Sequence, residues 1–252
     1  MKKLLFFSLF LFFFSCKTTR NAGKEDFLQP NKSIDYFDAS RDRKIPVAFY
    51  FKNGIKLKKM AVIIFSHGYG RNNPDSNLDY SYLLGNLAQK GYFVASVQHE
   101  LPSDDLLPLE GNPQILRRPN WEIGAENIDF ILNQLKKEYP NLNYDRVVIA
   151  GHSNGGDMSV LFSEKHPDNV WKLITLDQRR YAFPHLSNPK IYSLRSSDQP
   201  ADEGILPALE QQKKLGMTII KLPNTIHNDM DKSGTVDQKK EILTYFLKFL
   251  TE

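Results

Sequence analysis

Short apolar runs of strand length recur along the chain, at residues 47–51, 61–65, 92–97, 147–150, 173–176, 191–194 and 218–222. Several are apolar at consecutive positions instead of alternating, which marks strands covered on both faces. Between them lie segments of helical period. Trp121, Ala125, Ile128, Ile131 and Leu135 fall on one helical face ahead of Pro140, and Ile242, Phe246 and Phe249 repeat the pattern near the C-terminus. Residues 80–90, closed by Gly91, and residues 157–165 carry weaker helical patterns. Strands alternating with helices predict an α/β protein: a mostly parallel central sheet with helices on both faces. No linker-like stretch divides residues 34–252, so they read as one domain.

The N-terminus follows a different pattern. Lys2 and Lys3 precede a run over residues 4–14 that is apolar except for Ser8, and small Ser15 stands before Cys16. Basic, apolar and small, in that order, is the signature of a secretory signal over residues 1–15. The run is shorter than the roughly 20 apolar residues a membrane span needs. Cys16 at its end resembles the lipobox of bacterial lipoproteins, although Phe13 and Phe14 are bulkier than most lipoboxes carry. That resemblance implies an exported cell-envelope protein, lipidated on Cys16 and held to the membrane by its anchor. Residues 16–33 would then be a polar tether.

The composition excludes more than it assigns. With 252 residues the chain can bury a full core. A single cysteine leaves no disulfide framework and no multi-cysteine metal site. A net charge of +4 without a basic tract gives no case for nucleic acid as a partner.

The chemistry concentrates after the strand that ends at Ala150. Gly151-His152-Ser153-Asn154-Gly155 is a G-x-S-x-G sequence between a predicted strand and a predicted helix. A serine on so sharp a turn needs small residues two positions to either side, and the turn aims a helix N-terminus at the reacting carbonyl. A nucleophilic serine needs a base, and the base needs a carboxylate to fix its tautomer. Downstream lie His166, at an expected helix end, His185, in a proline-flanked loop, and His227. His227 follows the 218–222 strand after a short loop and is the expected base, since it leaves the same sheet edge as Ser153. Asp198, just past the 191–194 strand, is the expected acid; Asp177 and Asp202 are the alternatives. The backbone N–H groups of Asn154 and of Tyr69, within Ser66-His67-Gly68-Tyr69-Gly70, are the expected oxyanion donors.

These residues resemble the α/β-hydrolase fold serine hydrolases, over about residues 44–250. His67-Gly68-Tyr69-Gly70 matches the family's oxyanion loop, Gly151–Gly155 its nucleophile elbow, Asp198 its acid and His227 its base. The chain departs from the pattern where Arg195-Ser196 stands in place of the glycine often found before the acid. Only residues 177–189 occupy the place where many relatives insert a lid, which implies an open site. The resemblance implies an esterase acting through an acyl-enzyme on a small-molecule ester, with no metal or organic cofactor. A peptidase or amidase using the same residues, or an inactive binding protein of this fold, are the alternatives. His67, His99, Glu100 and Arg179 are weaker candidates for lining the substrate site. Residues 229–240 imitate the opening of a calcium loop, but Lys240 stands where a bidentate carboxylate is required, so Ser233 is read instead as the cap of the last helix.

Overall fold

The computed structural model describes residues 29–54 and 56–252. The leader and Cys16 lie outside the described residues. Eight strands form one sheet in the order β1-β2-β4-β3-β5-β6-β7-β8. They are β1 (Lys32–Asp38), β2 (Arg43–Tyr50), β3 (Ala61–Ser66), β4 (Phe93–Val97), β5 (Asn143–His152), β6 (Lys172–Leu176), β7 (Lys190–Arg195) and β8 (Thr218–Lys221). β1 and β2 run antiparallel to their neighbours at one edge, and β4, β3, β5, β6, β7 and β8 are parallel.

β3 shows why the central strands carry runs of consecutive apolar residues. All six of its residues are buried. Val62 and Ile64 face a core built with Trp121, Ile128, Ile131 and Leu135 of α3 (Arg118–Glu138) and Phe162 of α4 (Ser153–Lys165). Ile63 and Phe65 face the opposite core, with Leu83 and Leu87 of α1 (Ser81–Gln89) and Phe246 and Phe249 of α6 (Val236–Thr251). Each such side chain contributes about 1.5–3 kcal/mol by leaving water. A polar residue at any of these positions would face one core or the other.

Two short helices, α2 (Pro113–Leu116) and α5 (Leu209–Leu215), complete the fold and bury none of their residues. Their patterns therefore lack the apolar stripe that reveals α1, α3 and α6. β1 also escapes the sequence pattern because its outer positions are exposed. It begins at Lys32, paired with Phe49, so the folded domain reaches into the segment expected to be a tether. Thr235, not Ser233, caps α6: it accepts from Gln238 N–H, while the Gln238 side chain returns a bond to the Thr235 N–H. Ser233 N–H is instead held by Asp231 at 2.7 Å, and Asp229 accepts from Gln238 at 2.9 Å, so both carboxylates have internal partners. Residues 177–189 contain no helix or strand, so this stretch builds no helical lid.

Because β3, β5, β6 and β8 are parallel, their carboxyl ends share one rim. The segments leaving that rim carry His67–Gly70, Ser153, Asp177 and His227.

Candidate active site

Ser153 opens α4 directly from the end of β5, with φ 52°. A non-glycine residue pays for that left-handed conformation only where packing enforces it. The neighbours show how tight the turn is. A Cβ on Gly155 would lie 2.2 Å from the His67 carbonyl oxygen, and one on Gly151 would lie 2.4 Å from that of Gly155. Glycine at both positions is therefore a steric requirement of the turn that lifts Ser153 off the sheet.

Ser153 Oγ lies 2.9 Å from His227 Nε2, and His227 Nδ1 lies 2.5 Å from Asp177 Oδ2. The carboxylate accepts the Nδ1 proton, which leaves Nε2 free to accept from the serine hydroxyl. His227 opens a short helical turn, His227–Met230, beyond β8. The structure thus joins the expected nucleophile and base.

The acid position is a correction. Asp177, at the end of β6 with φ 53°, faces the imidazole. Asp198 is exposed and accepts the main-chain N–H of His227 at 2.8 Å, fixing the backbone instead of the ring. Asp202 faces Arg180, 3.9 Å from its Nε. The reason is strand adjacency. β6 lies beside the strand that carries Ser153, while Asp198 follows the next strand out. Arg195 and Ser196, which break the family pattern, turn out to support Asp177: Arg195 Nη2 lies 3.0 Å from Asp177 Oδ1, and Ser196 N–H donates to the same oxygen at 3.0 Å. Burial alone would raise this carboxyl. The His227 hydrogen bond, the Arg195 charge and the Ser196 amide outweigh it and hold Asp177 down to about 2.

The loop that holds Tyr69 and the turn that holds Asn154 are tied together through the Tyr80 and His152 side chains. Asn154 is the second residue of α4, where an N–H has no partner a turn earlier. Tyr69 N–H makes no hydrogen bond among the described residues, and its hydroxyl accepts from Leu107 N–H at 2.9 Å. Gly68 N–H donates to the Tyr80 hydroxyl at 3.1 Å, and that hydroxyl donates to His152 Nδ1 at 2.7 Å. Tyr80, which the sequence pattern marks only as a helix start, so ties the oxyanion loop to the nucleophile turn. Burial, and then the neighbouring His227, push His152 down to about 3, so its ring is neutral and fit to accept.

His67, His99 and Glu100 do not line an open pocket, contrary to expectation. All three are buried, packed beneath the oxyanion loop where β4 ends. His67 Nδ1 donates to the Gly68 carbonyl at 2.7 Å, and its Nε2 accepts from His99 N–H at 3.1 Å. Glu100 Oε1 accepts from Asn154 Nδ2 at 2.9 Å, and Trp121 Nε1 donates to Asn154 Oδ1 at 2.8 Å. Burial raises the Glu100 carboxyl. Of the four weaker candidates, only Arg179 keeps a partly exposed side chain near the site. Among the described residues no cluster of His, Cys, Asp and Glu has a metal-binding arrangement.

Solved structures of esterases share this architecture. A butyrate-bound esterase from Thermogutta terrifontis superposes with a TM-score of 0.63 at 13% identity, over 87% of this chain and 93% of that one. An esterase from Rhizomucor miehei gives 0.65 at 13% identity, over 87% and 81%. Esterase Est22 gives 0.64 at 12% identity, over 87% and 80%. No protein-family profile and no curated protein matches the chain. At such identities the likeness is one of fold, and together with the parallel sheet it defines the class: this is an α/β-hydrolase fold.

Proposed function

We propose that the protein is a serine hydrolase that cleaves carboxylic esters through an acyl-enzyme. The observation that carries this reading is the unbroken chain Ser153 Oγ, His227 Nε2, His227 Nδ1 and Asp177 Oδ2, at 2.9 and 2.5 Å. His227 Nε2 takes the hydroxyl proton as Ser153 Oγ bonds to the ester carbonyl carbon. The carbonyl electron pair moves to oxygen, where the Tyr69 and Asn154 N–H groups receive it. The tetrahedral species collapses, the C–O bond to the alcohol breaks, and His227 returns the proton to the departing oxygen. Water repeats the sequence on the acyl-enzyme, with His227 again as base, and frees the acid and Ser153. Asp177 stays ionised throughout and stabilises the imidazolium.

An ester substrate is favoured over an amide by the neighbours of this fold, which are esterases at low identity. Paired p-nitrophenyl esters and p-nitroanilides of the same acyl group test the choice. Ester turnover that Ser153→Ala abolishes supports the reading, and anilide turnover at equal or greater kcat/KM contradicts it.

The order of residues ahead of Cys16 supports an exported, lipid-anchored protein. Metabolic labelling with a fatty-acid analogue that follows Cys16, and is lost in Cys16→Ser, is the expected result. Unlabelled, full-length protein would contradict it.

A further inference from the structure

The loop that delivers Asp177 to the base continues into Arg179 and Arg180. Its backbone is tied to the nucleophile helix. Asp157 lies one turn beyond Ser153 and accepts the N–H groups of Arg180 and Tyr181, at 3.0 and 2.9 Å, on one carboxylate oxygen. The Arg179 carbonyl accepts from Asp202 N–H at 3.0 Å. Among the described residues the Arg179 guanidinium forms no direct ion pair with a carboxylate, and its Nε is buried without a hydrogen bond. Arg117 approaches from the junction of α2 and α3. It is only 7% exposed, and its Nε donates to the Pro108 carbonyl at 3.0 Å. Its two terminal nitrogens have no partner among the described residues.

The local charges do not cancel. Asp177 is taken by His227 and Arg195, Asp157 by main-chain amides, and Asp202 faces Arg180. Arg117 and Arg179 make no direct ion pair among the described residues, although Asp157 and Asp202 act favourably on both from further off. Burial first, and then the Arg180 guanidinium, lowers both from the ordinary arginine value, and Arg179 lowers Arg117 further. The Arg179 charge also helps keep His152 neutral, and the His152 ring stands 4.6 Å from that of His227. Arg117 is largely buried and Arg179 partly exposed, so each guanidinium keeps donors that an arriving anion can use, and a carboxylate bridging them gains charge-assisted hydrogen bonds. The planar guanidinium fork suits a carboxylate.

We propose that Arg117 and Arg179 form a subsite for a carboxylate beside Ser153, so that the favoured substrates are esters bearing a free carboxylate on the acyl or the alcohol portion. This rests on the esterase reading, and binding and turnover separate the two. Full-chain protein carrying Ser153→Ala is titrated by calorimetry with monomethyl succinate, with neutral dimethyl succinate, and with inorganic phosphate. The half-ester binds best, and Arg179→Gln weakens it by about tenfold or more, the scale of a charge-assisted contact. Arg179→Lys, which keeps the charge but not the fork, falls between them. Equal binding of the two esters, tighter binding of phosphate, or no effect of Arg179→Gln on a folded protein overturns the subsite. In the active enzyme, kcat/KM for p-nitrophenyl hemisuccinate divided by that for p-nitrophenyl butyrate exceeds one and drops at least tenfold in Arg179→Gln. A ratio at or below one in the unaltered protein also overturns it. Absence of all ester turnover by folded protein refutes the esterase reading instead, while the calorimetry still reads the subsite.

Discussion

Asp177→Asn is the most informative single substitution, because sequence order favours Asp198 and geometry favours Asp177. The side chain is fully buried, with its oxygens on His227 Nδ1 at 2.5 Å and on Arg195 at 3.0 Å. Asparagine keeps the shape and removes the charge. Its amide can no longer hold the Nδ1–H tautomer, so Nε2 ceases to be a dependable acceptor for Ser153. Two unit charges about 3 Å apart at an effective dielectric of about 20 attract by about 5–6 kcal/mol. That corresponds to about four orders of magnitude in rate. Arg195 already neutralises part of the carboxylate, so a fall of about 10³–10⁴ in kcat is expected, with KM changed by only a few fold. Stability falls too, since Arg195 is left buried without its counter-charge. The carboxyl is lowered in the folded protein, so its contribution is present above the ordinary value near 3.8 and is lost as pH falls through about 2. Steady-state hydrolysis of a p-nitrophenyl ester is the assay, with Asp198→Asn as the comparison. Asparagine at 198 still accepts from His227 N–H and should cost less than about tenfold. Equal damage from both substitutions, or an Asp177→Asn enzyme within tenfold of the original, refutes the assignment.

Two further outcomes follow from buried groups near the site. Tyr80→Phe removes the hydroxyl that joins Gly68 N–H to His152, leaving the buried His152 Nδ1 acceptor unsatisfied at a cost of about 1–3 kcal/mol. A kcat reduced about tenfold with little change in KM is expected from steady-state kinetics, because the oxyanion loop loses its fixed position. Asp157 is fully withdrawn from water, and burial raises it to about 6 although amide hydrogen bonds oppose the shift. The fold thus binds its proton more tightly than the unfolded chain does, and stability declines as pH rises from about 4 to about 6. Asp157→Asn, which can still accept both amides, should flatten that decline and add about 2–3 kcal/mol at neutral pH, read from urea unfolding at pH 4, 6 and 7.5.

The central strands and the long helices were legible because burial leaves a periodic trace. β3 is apolar from Ala61 to Phe65 since it serves two cores, and α3 shows its stripe because one face alone meets the sheet. β1, α2 and α5 leave no such trace, since most or all of their positions are solvated. The nucleophile and base were readable for a local reason: Ser153 needs Gly151 and Gly155 around it, and His227 comes soon after a strand. The acid was not readable, because which aspartate reaches the imidazole depends on strand order, and strand order is a property of the sheet. Asp177 and Asp198 both follow strands, and only the adjacency of β5 and β6 separates them. The same holds for His67, His99 and Glu100. Their polarity resembles that of pocket residues, while their place beneath the loop makes them its supports.

The most direct test is covalent. An organophosphonate fluoride is added to the folded full chain, and the adduct is located by peptide mass spectrometry. The proton relay described for this chain predicts a single adduct on Ser153, formed with loss of fluoride and absent or greatly slowed in His227→Ala. A folded protein that gains no adduct, or gains it on another residue, would contradict that relay.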